Sequence, residues 1–383
     1  MMNAAQTPPT FTAGGHSWVQ VSCPNGLVQS SSFTCEPCPV GTIWSPISRD
    51  CDPAPSCASG STGWIVRSNP GDTWITSLWV EDLHRVVAIG GLRFSHSSDG
   101  ISWTSSAVGA PLTVSWRGLA WSPPLRRLVA VGAYSGGANR VMYSPNGLFW
   151  VLVPSSANIN WESVVWVDGS PGRFVAVSSV GSSQAMISSN GITWSLRNAP
   201  ARQWKALAWS PVLGRLVATS ITGSGQRAMT SDDRGLTWTL QNTPADESWT
   251  GVAWISELSL FVAVGSRKSM WSSDGLSWHL GNMPPIGNSL YKVAWSPDAG
   301  AGLGSPESGS GLLVAVGYEV AVYSHNGKDW ADMTIAPSGY LHSGISWAPS
   351  LRRFVVVSSN SPGAMTLEPR CFPLQGFRFA TLC

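Results

Sequence analysis

Two adjacent carboxylates, Asp232 and Asp233, are the residues whose types and spacing could most directly do chemistry. They lie in the octapeptide SDDRGLTW, residues 231–238, beside Ser231 and Arg234. Glycosidases use a pair of acidic side chains as general acid and base, so the octapeptide raises the possibility of sugar hydrolysis. Asp, Ser, Thr and Gly are also typical of a tight turn, and the rest of the chain separates the two interpretations.

The octapeptide has five shorter relatives, spaced about 45 residues apart, and such spacing is typical of repeat architectures. They are SSDGISW, SPNGLFW, SSNGITW, SSDGLSW and SHNGKDW, and three of them carry Asn in place of Asp233. An amide cannot act as a base, whereas Asn and Asp both form turns by accepting backbone hydrogen bonds, so we predict structural turns. The predicted turn residues are Ser97, Asp99, Gly100, Trp103, Ser144, Asn146, Gly147, Trp150, Ser188, Asn190, Gly191, Trp194, Ser231, Asp233, Gly235, Trp238, Ser272, Asp274, Gly275, Trp278, Ser324, Asn326, Gly327 and Trp330.

A second pattern occurs in step with the turns: two tryptophans separated by four residues, then a turn and a short apolar run, as in WRGLAWSPPLRRLVAVG from Trp116. The second tryptophan of its seven copies is Trp79, Trp121, Trp166, Trp209, Trp254, Trp295 and Trp347. The last two copies keep only this tryptophan, with Leu290 and His342 in place of the first. The apolar runs suit buried strands, and no window shows helical periodicity. Four short strands per repeat predict an all-β chain built from the blades of a β-propeller.

The unequal counts, seven repeats but six turns, predict how the ring closes. The seventh repeat has a third strand at GAMTL, residues 363–367, but no fourth strand, whereas WIVRSNPGDTW from Trp64 aligns with WSLRNAPARQW from Trp194. We therefore predict a seven-bladed propeller of four-stranded blades, with an N-terminal strand completing the last blade. The Gly- and Ser-rich insert 298–311 is predicted to be an exposed loop between the first two strands of a blade.

SDDRGLTW fits the pattern Ser-x-Asp-x-Gly-x-Thr-Trp, and on this motif the chain resembles the Asp-box, or bacterial neuraminidase repeat, β-propellers over residues 64–370. That family includes sialidases, plant-polysaccharide hydrolases, sortilin-type receptors and a photosystem II assembly factor. The resemblance implies that the boxes lie in hairpins on the rim, away from the central funnel that holds the family's active sites. The five short copies lack one residue before Gly, so the resemblance concerns the fold rather than one activity.

The other candidates for catalysis form no recognisable set. A sialidase-like site needs converging arginines, a tyrosine nucleophile and an acid. The arginines instead recur near successive turns: Arg85, Arg126, Arg127, Arg173, Arg215, Arg352 and Arg353. Tyr143 and Tyr323 occupy equivalent positions before two turns and are predicted to pack. The histidines have no metal-ligand spacing and are predicted at surfaces or turns: His16, His84, His96, His279, His325 and His342.

Four glutamates lie nearest to the predicted strands but cannot be paired by spacing: Glu81, Glu162, Glu257 and Glu319. We therefore predict no catalytic residue, no metal and no cofactor.

All the cysteines lie at the two ends of the chain: Cys23, Cys35, Cys38, Cys51, Cys57, Cys371 and Cys383. The stretch CEPCPVGTIWSPISRDC resembles the Cys-Pro-x-Gly-Thr modules of ephrin-receptor-like cysteine-rich repeats. Zinc is an alternative for Cys-x-x-Cys, but no second such pair or paired histidine accompanies it, so disulfides are favoured. We predict a cysteine-rich segment at 1–60, the propeller at 61–370, a tail at 371–383 and, as a hypothesis, a Cys57–Cys371 bond that locks the ring.

The chain carries little charge: 11% of its 383 residues are charged and the net charge is +2, against about 25% in typical domains. No basic stripe suits nucleic acid, and no apolar stretch reaches the ~20 residues of a membrane span. The first residues show no signal-peptide core, so we expect the chain to begin near a mature end.

So uncharged a surface is expected either to be covered by partners or to be rich in Ser, Thr and glycan, as in a secreted protein with a Ser- and Gly-rich exterior. We predict a non-enzymatic extracellular structural or interaction protein that self-assembles or binds protein partners in a filament, appendage or coat. A glycan-binding module is the alternative, and a sialidase-like hydrolase is less favoured.

Overall fold

Short antiparallel strands form nearly all of the regular structure, as the apolar and β-branched runs punctuated by Gly, Asn and Asp predict. In the computed structural model the chain divides into two units, residues 1–59 and 60–383. The described residues are 10–13, 16–19, 27–29, 35–37, 42–45, 50–53, 64–67, 73–108, 114–133, 139–181, 184–297, 311–333, 339–360 and 363–367.

The first unit contributes three antiparallel strand pairs. They are Thr10–Ala13 with His16–Val19, Leu27–Gln29 with Cys35–Pro37, and Thr42–Ser45 with Asp50–Pro53. Of the predicted disulfide residues, two lie within these strands and five lie outside the described residues: Cys35 and Cys51, then Cys23, Cys38, Cys57, Cys371 and Cys383. The predicted pairings, including the one across the ring closure, therefore stay predictions.

The second unit contains seven sheets, which we number blades 1 to 7, with four antiparallel strands labelled a to d in each. The strands are Thr76–Val80, Arg85–Gly90, Arg93–Ser97 and Thr104–Ser105 in blade 1; Ser115–Ser122, Arg127–Ala133, Val141–Ser144 and Phe149–Val153 in blade 2; Trp161–Val167, Arg173–Ser178, Ala185–Ser188 and Ser195–Arg197 in blade 3; Trp204–Ser210, Arg215–Ser220, Ala228–Ser231 and Thr239–Gln241 in blade 4; Trp249–Ile255, Leu260–Gly265, Ser269–Ser272 and His279–Leu280 in blade 5; Leu290–Ser296, Leu312–Gly317, Ala321–Ser324 and Ala331–Met333 in blade 6; and His342–Ala348, Arg353–Ser358, Ala364–Leu367 and Trp64–Arg67 in blade 7.

Some described segments depart from this plan. Ala107–Val108 runs parallel to strand d of blade 2 as a fifth strand. Short 3-10 turns, Glu81–Leu83 and Pro349–Leu351, connect strands a and b of blades 1 and 7. The insert at 298–310 lies outside the described residues, between strands a and b of blade 6.

The blades form a closed ring, because strands a of successive blades contact each other and strand a of blade 7 contacts strand a of blade 1. Strand Trp64–Arg67 pairs antiparallel with Ala364–Leu367, so blade 7 contains both ends of the propeller sequence. The backbone N–H of Trp74 in the first blade donates to Ser358 O in the last at 2.9 Å. The chain is thus a seven-bladed β-propeller closed by its N-terminal strand, which confirms the predicted fold class.

The blades are held together by apolar clusters, and among the described residues one such cluster lies at each of the seven interfaces between blades. Strand b of blade 5, Leu260–Gly265, is buried along its whole length, which explains its continuous apolar sequence. The first tryptophan of the repeat is fully buried in blades 1 to 5: Trp74, Trp116, Trp161, Trp204 and Trp249. Truncating such a residue to Ala costs roughly 3–5 kcal/mol, so these side chains dominate the packing between blades.

Candidate functional site

Six of the seven strands a contain a β-bulge near their start. The bulged residue follows the first buried residue of the repeat, so Arg117 follows Trp116 and Glu162 follows Trp161. A bulge leaves its extra residue unpaired and re-aims the side chain. In this ring the bulged residues line a cavity on the propeller axis: Arg117, Glu162, Lys205, Thr250, Tyr291 and Ser343.

This axial cavity has a volume of about 380 Å³ and receives residues from all seven blades. It opens at the end of the ring where strands a begin and strands b end. The remaining lining residues are Ile75, Ile221, Lys292, Leu341 and Ser359. Among these described lining residues three are basic, Arg117, Lys205 and Lys292, and one is a carboxylate, Glu162.

Glu162 is the most buried charged group of the cavity wall, with a side chain that is only 4% exposed. Its Oε1 lies 3.0 Å from Lys205 Nζ and accepts a hydrogen bond from Ser179 Oγ at 2.8 Å. A buried carboxylate is stable when it is paired and hydrogen-bonded in this way. Glu162 therefore holds Lys205 in the wall of the cavity.

Lys292 occupies a position where the other blades have small residues. Those residues are Thr76, Gly118, Ser163, Ala206, Gly251 and Gly344. They are small because neighbouring strands a approach closely: a Cβ on Gly344 would lie 2.6 Å from Thr76 Cα. Lys292 breaks this pattern and lines the axial cavity instead.

The charged groups of the cavity interact across it. Burial lowers the pKa of Lys292, the carboxylate of Glu162 opposes that shift, and the ammonium of Lys205 adds to it. These three side chains come from blades 6, 3 and 4, so the ring brings together charges that lie far apart in the sequence.

The predicted turn residues lie at the opposite end of the ring, between strands c and d. In blade 1, Ser97 Oγ accepts from the N–H of Gly100 at 2.8 Å, and Asp99 Oδ1 accepts from the N–H groups of Ile101 at 2.7 Å and Ser102 at 2.8 Å. The amide oxygens of three other turns accept the equivalent pair of bonds: Asn146, Asn190 and Asn326. Asp and Asn thus perform the same local task.

Three turn aspartates have pKa values below the ordinary range: Asp99, Asp233 and Asp274. Burial alone would raise these pKa values, but hydrogen bonds from backbone N–H groups and hydroxyls outweigh it. A carboxyl group that stays ionised in this way is a poor general acid.

The glycine of each turn packs against the preceding blade. Gly147 has φ of 74°, and a Cβ there would lie 2.8 Å from Val87 Cγ2 of blade 1. Glycine suits both requirements, because it adopts positive φ without strain and allows the close approach.

The repeated arginines connect neighbouring blades. Arg85 Nη1 donates to the backbone oxygen of Asn146 at 2.6 Å, and Arg215 Nη1 donates to that of Asp274 at 2.5 Å. The same bond joins two further pairs of blades, from Arg127 to Asn190 and from Arg353 to Asp99. These arginines are spread around the ring at the end opposite the axial cavity, so they do not converge on one ligand.

SDDRGLTW, the full-length turn, has additional contacts. Asp232 is bound by Arg215 through two hydrogen bonds of 2.5 and 2.9 Å. Asp233 accepts from the N–H groups at 236 and 237 at 3.0 and 2.9 Å. Arg234 Nη1 donates back to Pro171 O of blade 3 at 3.0 Å. Both acids are therefore engaged in holding the turn and its neighbours.

The other predicted residues are dispersed. Tyr143 and Tyr323 lie half-buried in strands c, and the guanidinium of Arg127 lies 4.9 Å from the ring centre of Tyr143. Burial raises the pKa of Tyr323.

The prediction that His342 is a surface or turn residue is wrong, because it is fully buried in strand a of blade 7. It occupies the position where five blades have tryptophan.

The remaining glutamates do not meet Glu162: Glu81 and Glu257 lie in a–b turns and Glu319 lies in a b–c loop. Within the part of the chain that the structure describes, no group of three His, Cys, Asp or Glu residues is placed to hold a metal ion. The same part contains no helix long and apolar enough to cross a membrane.

Four exposed apolar residues lie in the turns that Arg215 connects. They are Val212, 74% exposed, with Leu213, Leu236 and Leu276, each about 40% exposed. Arg215 binds Asp232 in the turn of blade 4 and the backbone of Asp274 in the turn of blade 5, which brings these segments together. We call these four residues the turn-face patch.

Solved structures share the fold but little of the sequence. A structure of YCF48 bound to D1 peptide aligns with a TM-score of 0.60 at 13% identity, over 80% of this chain and 94% of that chain. YCF48 from Cyanidioschyzon merolae aligns with the same score and identity, over 80% and 99% of the two chains. A streptogramin B lyase aligns with a TM-score of 0.63 at 10% identity, over 79% and 96%. No protein-family model and no curated protein sequence matches the chain. At these identities the likeness shows the propeller fold alone.

Proposed function

We propose that the protein is a non-enzymatic extracellular structural or interaction protein, a rigid propeller block that assembles with further copies or with protein partners into a filament, appendage or coat. The observation that carries the proposal is the turn-face patch. Exposed apolar residues grouped on a folded surface are typical of protein interaction sites. The low charge of the chain, 11%, leaves few like charges to keep neighbouring molecules apart.

The construction of the ring supports a mechanical or scaffolding role. Each bond from a strand-b arginine to the next blade's turn connects neighbouring blades. Strand d of blade 7, Trp64–Arg67, which we call the latch strand, joins the two ends of the propeller sequence. A closed sheet arrangement also leaves only short, protected edges. A block of this kind can present one face to a partner without rearranging.

The placement of the acids supports a role without catalysis. Asp232 and Asp233 are occupied by turn hydrogen bonds and by Arg215, and they lie at the end of the ring opposite the axial cavity. Glu162, the carboxylate in the cavity, is occupied by Lys205 and Ser179. Confinement of the cysteines to the chain ends supports the extracellular assignment.

Sedimentation velocity of the full chain and two variants tests the proposal. Val212→Asp places a charge in the turn-face patch and is expected to weaken assembly by roughly tenfold or more, because the charge would be buried in the contact. Val180→Asp is the matched control: Val180 is 41% exposed and lies in a b–c loop at the other end of the ring. A wild-type chain that stays monomeric at all concentrations, or equal assembly of both variants and wild type, would overturn the proposal.

A further inference from the structure

We propose that the axial cavity binds a small aldehyde or ketone covalently, through an imine between its carbonyl carbon and the Nζ of Lys292. The neutral amine adds to the carbonyl carbon, and its two hydrogens leave with the carbonyl oxygen as one molecule of water. The step needs no oxidant and no reductant, and it requires no turnover. The cavity lies at the end of the ring opposite the turn-face patch, so the proposal does not rest on assembly through that patch.

The first support is the use of lysine in the cavity wall. Lysine and arginine together number 23 in the chain, and the lysines among them are Lys205, Lys268, Lys292 and Lys328. Two of these four lysines line one cavity, whereas arginines make the repeated bonds between blades. A lysine can lose its proton and act as a nucleophile, but an arginine stays protonated. The choice of lysine therefore favours amine chemistry over a fixed positive charge.

The second support is the position of Lys292 in its strand. The equivalent residues of the other blades are small, and a Cβ on Gly251 of blade 5 would lie 3.2 Å from Lys292 Cα. Backbones that pack this closely leave little room between the strands, and the side chain of Lys292 lines the cavity. Ala206 fills the equivalent position in blade 4, so a blade does not need lysine there. A residue that departs from the repeat without a packing reason indicates a functional position.

The third support is the environment of the Lys292 amine. Among the residues that the structure describes, Glu162 forms an ion pair with Lys205 at 3.0 Å, and no ion pair or hydrogen bond engages Nζ of Lys292. Burial lowers the pKa of Lys292, the carboxylate of Glu162 opposes that shift, and the ammonium of Lys205 adds to it. Removal from water and a neighbouring cation are two arrangements that activate a lysine as a nucleophile.

The fourth support is the cavity itself, which can hold a small carbonyl compound. Its volume of about 380 Å³ lies within the range of small-molecule sites, about 300–1,000 Å³. Ile75, Ile221 and Leu341 contribute apolar wall, and apolar surroundings disfavour the protonated form of an amine. The other ionisable groups among the described lining residues are Arg117, Glu162, Lys205 and Tyr291.

Reductive trapping of the full chain with benzaldehyde tests the site. Sodium cyanoborohydride at neutral pH reduces the imine to a stable secondary amine, and peptide mapping by mass spectrometry then gives the labelling rate at each lysine. Lys268 is the reference for an ordinary amine, because its side chain is 47% exposed and lies in a b–c loop outside the cavity wall. Lys205 is the reference for access to the cavity, because it lines the same wall but is held by Glu162.

We expect Lys292 to be labelled at least about tenfold faster than Lys268, since each unit by which a pKa falls makes the neutral amine about tenfold more abundant. Lys205 should be labelled more slowly than Lys292. Labelling of Lys292 that is no faster than that of Lys268 would overturn the proposal.

A second comparison tests the role of the neighbouring ammonium. Lys205→Met should slow the labelling of Lys292 severalfold, because it removes the ammonium and leaves Glu162 to stabilise the protonated amine. Lys268→Met is the matched control and should leave the labelling of Lys292 unchanged, and thermal unfolding checks that both variants are folded. A rate at Lys292 that Lys205→Met does not lower would also count against the proposed site.

Discussion

Replacing His342 by Leu should make the stability of the propeller less sensitive to acid. His342 is fully buried, its Nδ1 lies 3.1 Å from Ser358 Oγ, and its ring stacks on Trp64 of the latch strand with 6.3 Å between ring centres. Burial lowers the pKa of His342 from 6.5 to about 4. Leu is a suitable replacement because Leu290 fills the same position in blade 6 and is equally buried.

The sign of the effect follows from the lowered pKa. The unfolded chain takes up a proton on this imidazole at a higher pH than the folded chain, so acid favours unfolding. The contribution of His342 to the free energy of unfolding is constant above pH 6.5. It declines as the pH falls to about 4 and changes no further below that pH. At about 1.4 kcal/mol for each pH unit, the interval between the two pKa values corresponds to about 3 kcal/mol.

Denaturant unfolding of the full chain, followed by tryptophan fluorescence, measures this contribution. Carboxyl groups elsewhere titrate in both proteins, so the difference in free energy of unfolding between His342→Leu and wild type isolates the histidine. We expect that difference to shift in favour of the variant by about 3 kcal/mol between neutral pH and about pH 4. A difference that is the same at every pH would refute the reasoning.

Substitutions at three further sites, Asp233, Gly147 and Trp64, test the turns and the latch by the same unfolding measurement. Asp233→Asn should lose less stability than Asp233→Ala, because Asn keeps the oxygen that accepts from the backbone N–H groups at 236 and 237, whereas Asp233→Ala should lose about 1–3 kcal/mol; equal losses would contradict a turn role. Gly147→Ala should cost about 1–3 kcal/mol more than Gly214→Ala, because both glycines have positive φ but only the first would bring a Cβ within 4 Å of another residue, Val87; equal costs would contradict the inter-blade contact. Trp64→Ala should cost roughly 3–5 kcal/mol, since Trp64 is 7% exposed, and an unchanged midpoint would show that the latch contributes little.

The blades and the latch could be predicted because buried tryptophans repeat at fixed positions. The first residue of the repeat is buried in every copy and is a large apolar side chain in six of them, Trp74, Trp116, Trp161, Trp204, Trp249 and Leu290, with His342 as the exception. The mismatch between seven such positions and six turns located the missing strand at Trp64, and pairing with Ala364–Leu367 confirms it.

The axial cavity could not be predicted from the same patterns. The alternation of buried and exposed residues along a strand does not predict where a bulge occurs. The bulges direct Arg117 and Glu162 to the axis. The bulged residues also differ in type from blade to blade, so no motif marks them. Aligning the seven repeats would have shown Lys292 as the one long side chain among small residues, and that exception was the available signal.

The contacts that the arginines make with the next blade also could not be predicted from the sequence. Their recurrence near the a–b turns indicated a feature of the repeat, but the partner of Arg85 is the backbone of Asn146 in the next blade. Such a contact depends on the angle between neighbouring blades, which no local pattern specifies.

The central claim, that this propeller is a block for assembly through its turn face, is tested most directly by negative-stain microscopy of the full chain together with its sedimentation. We expect particles larger than one ring, in which rings meet at the end that carries the turns, and a population that grows with concentration. Single, separate rings at every concentration would contradict the claim.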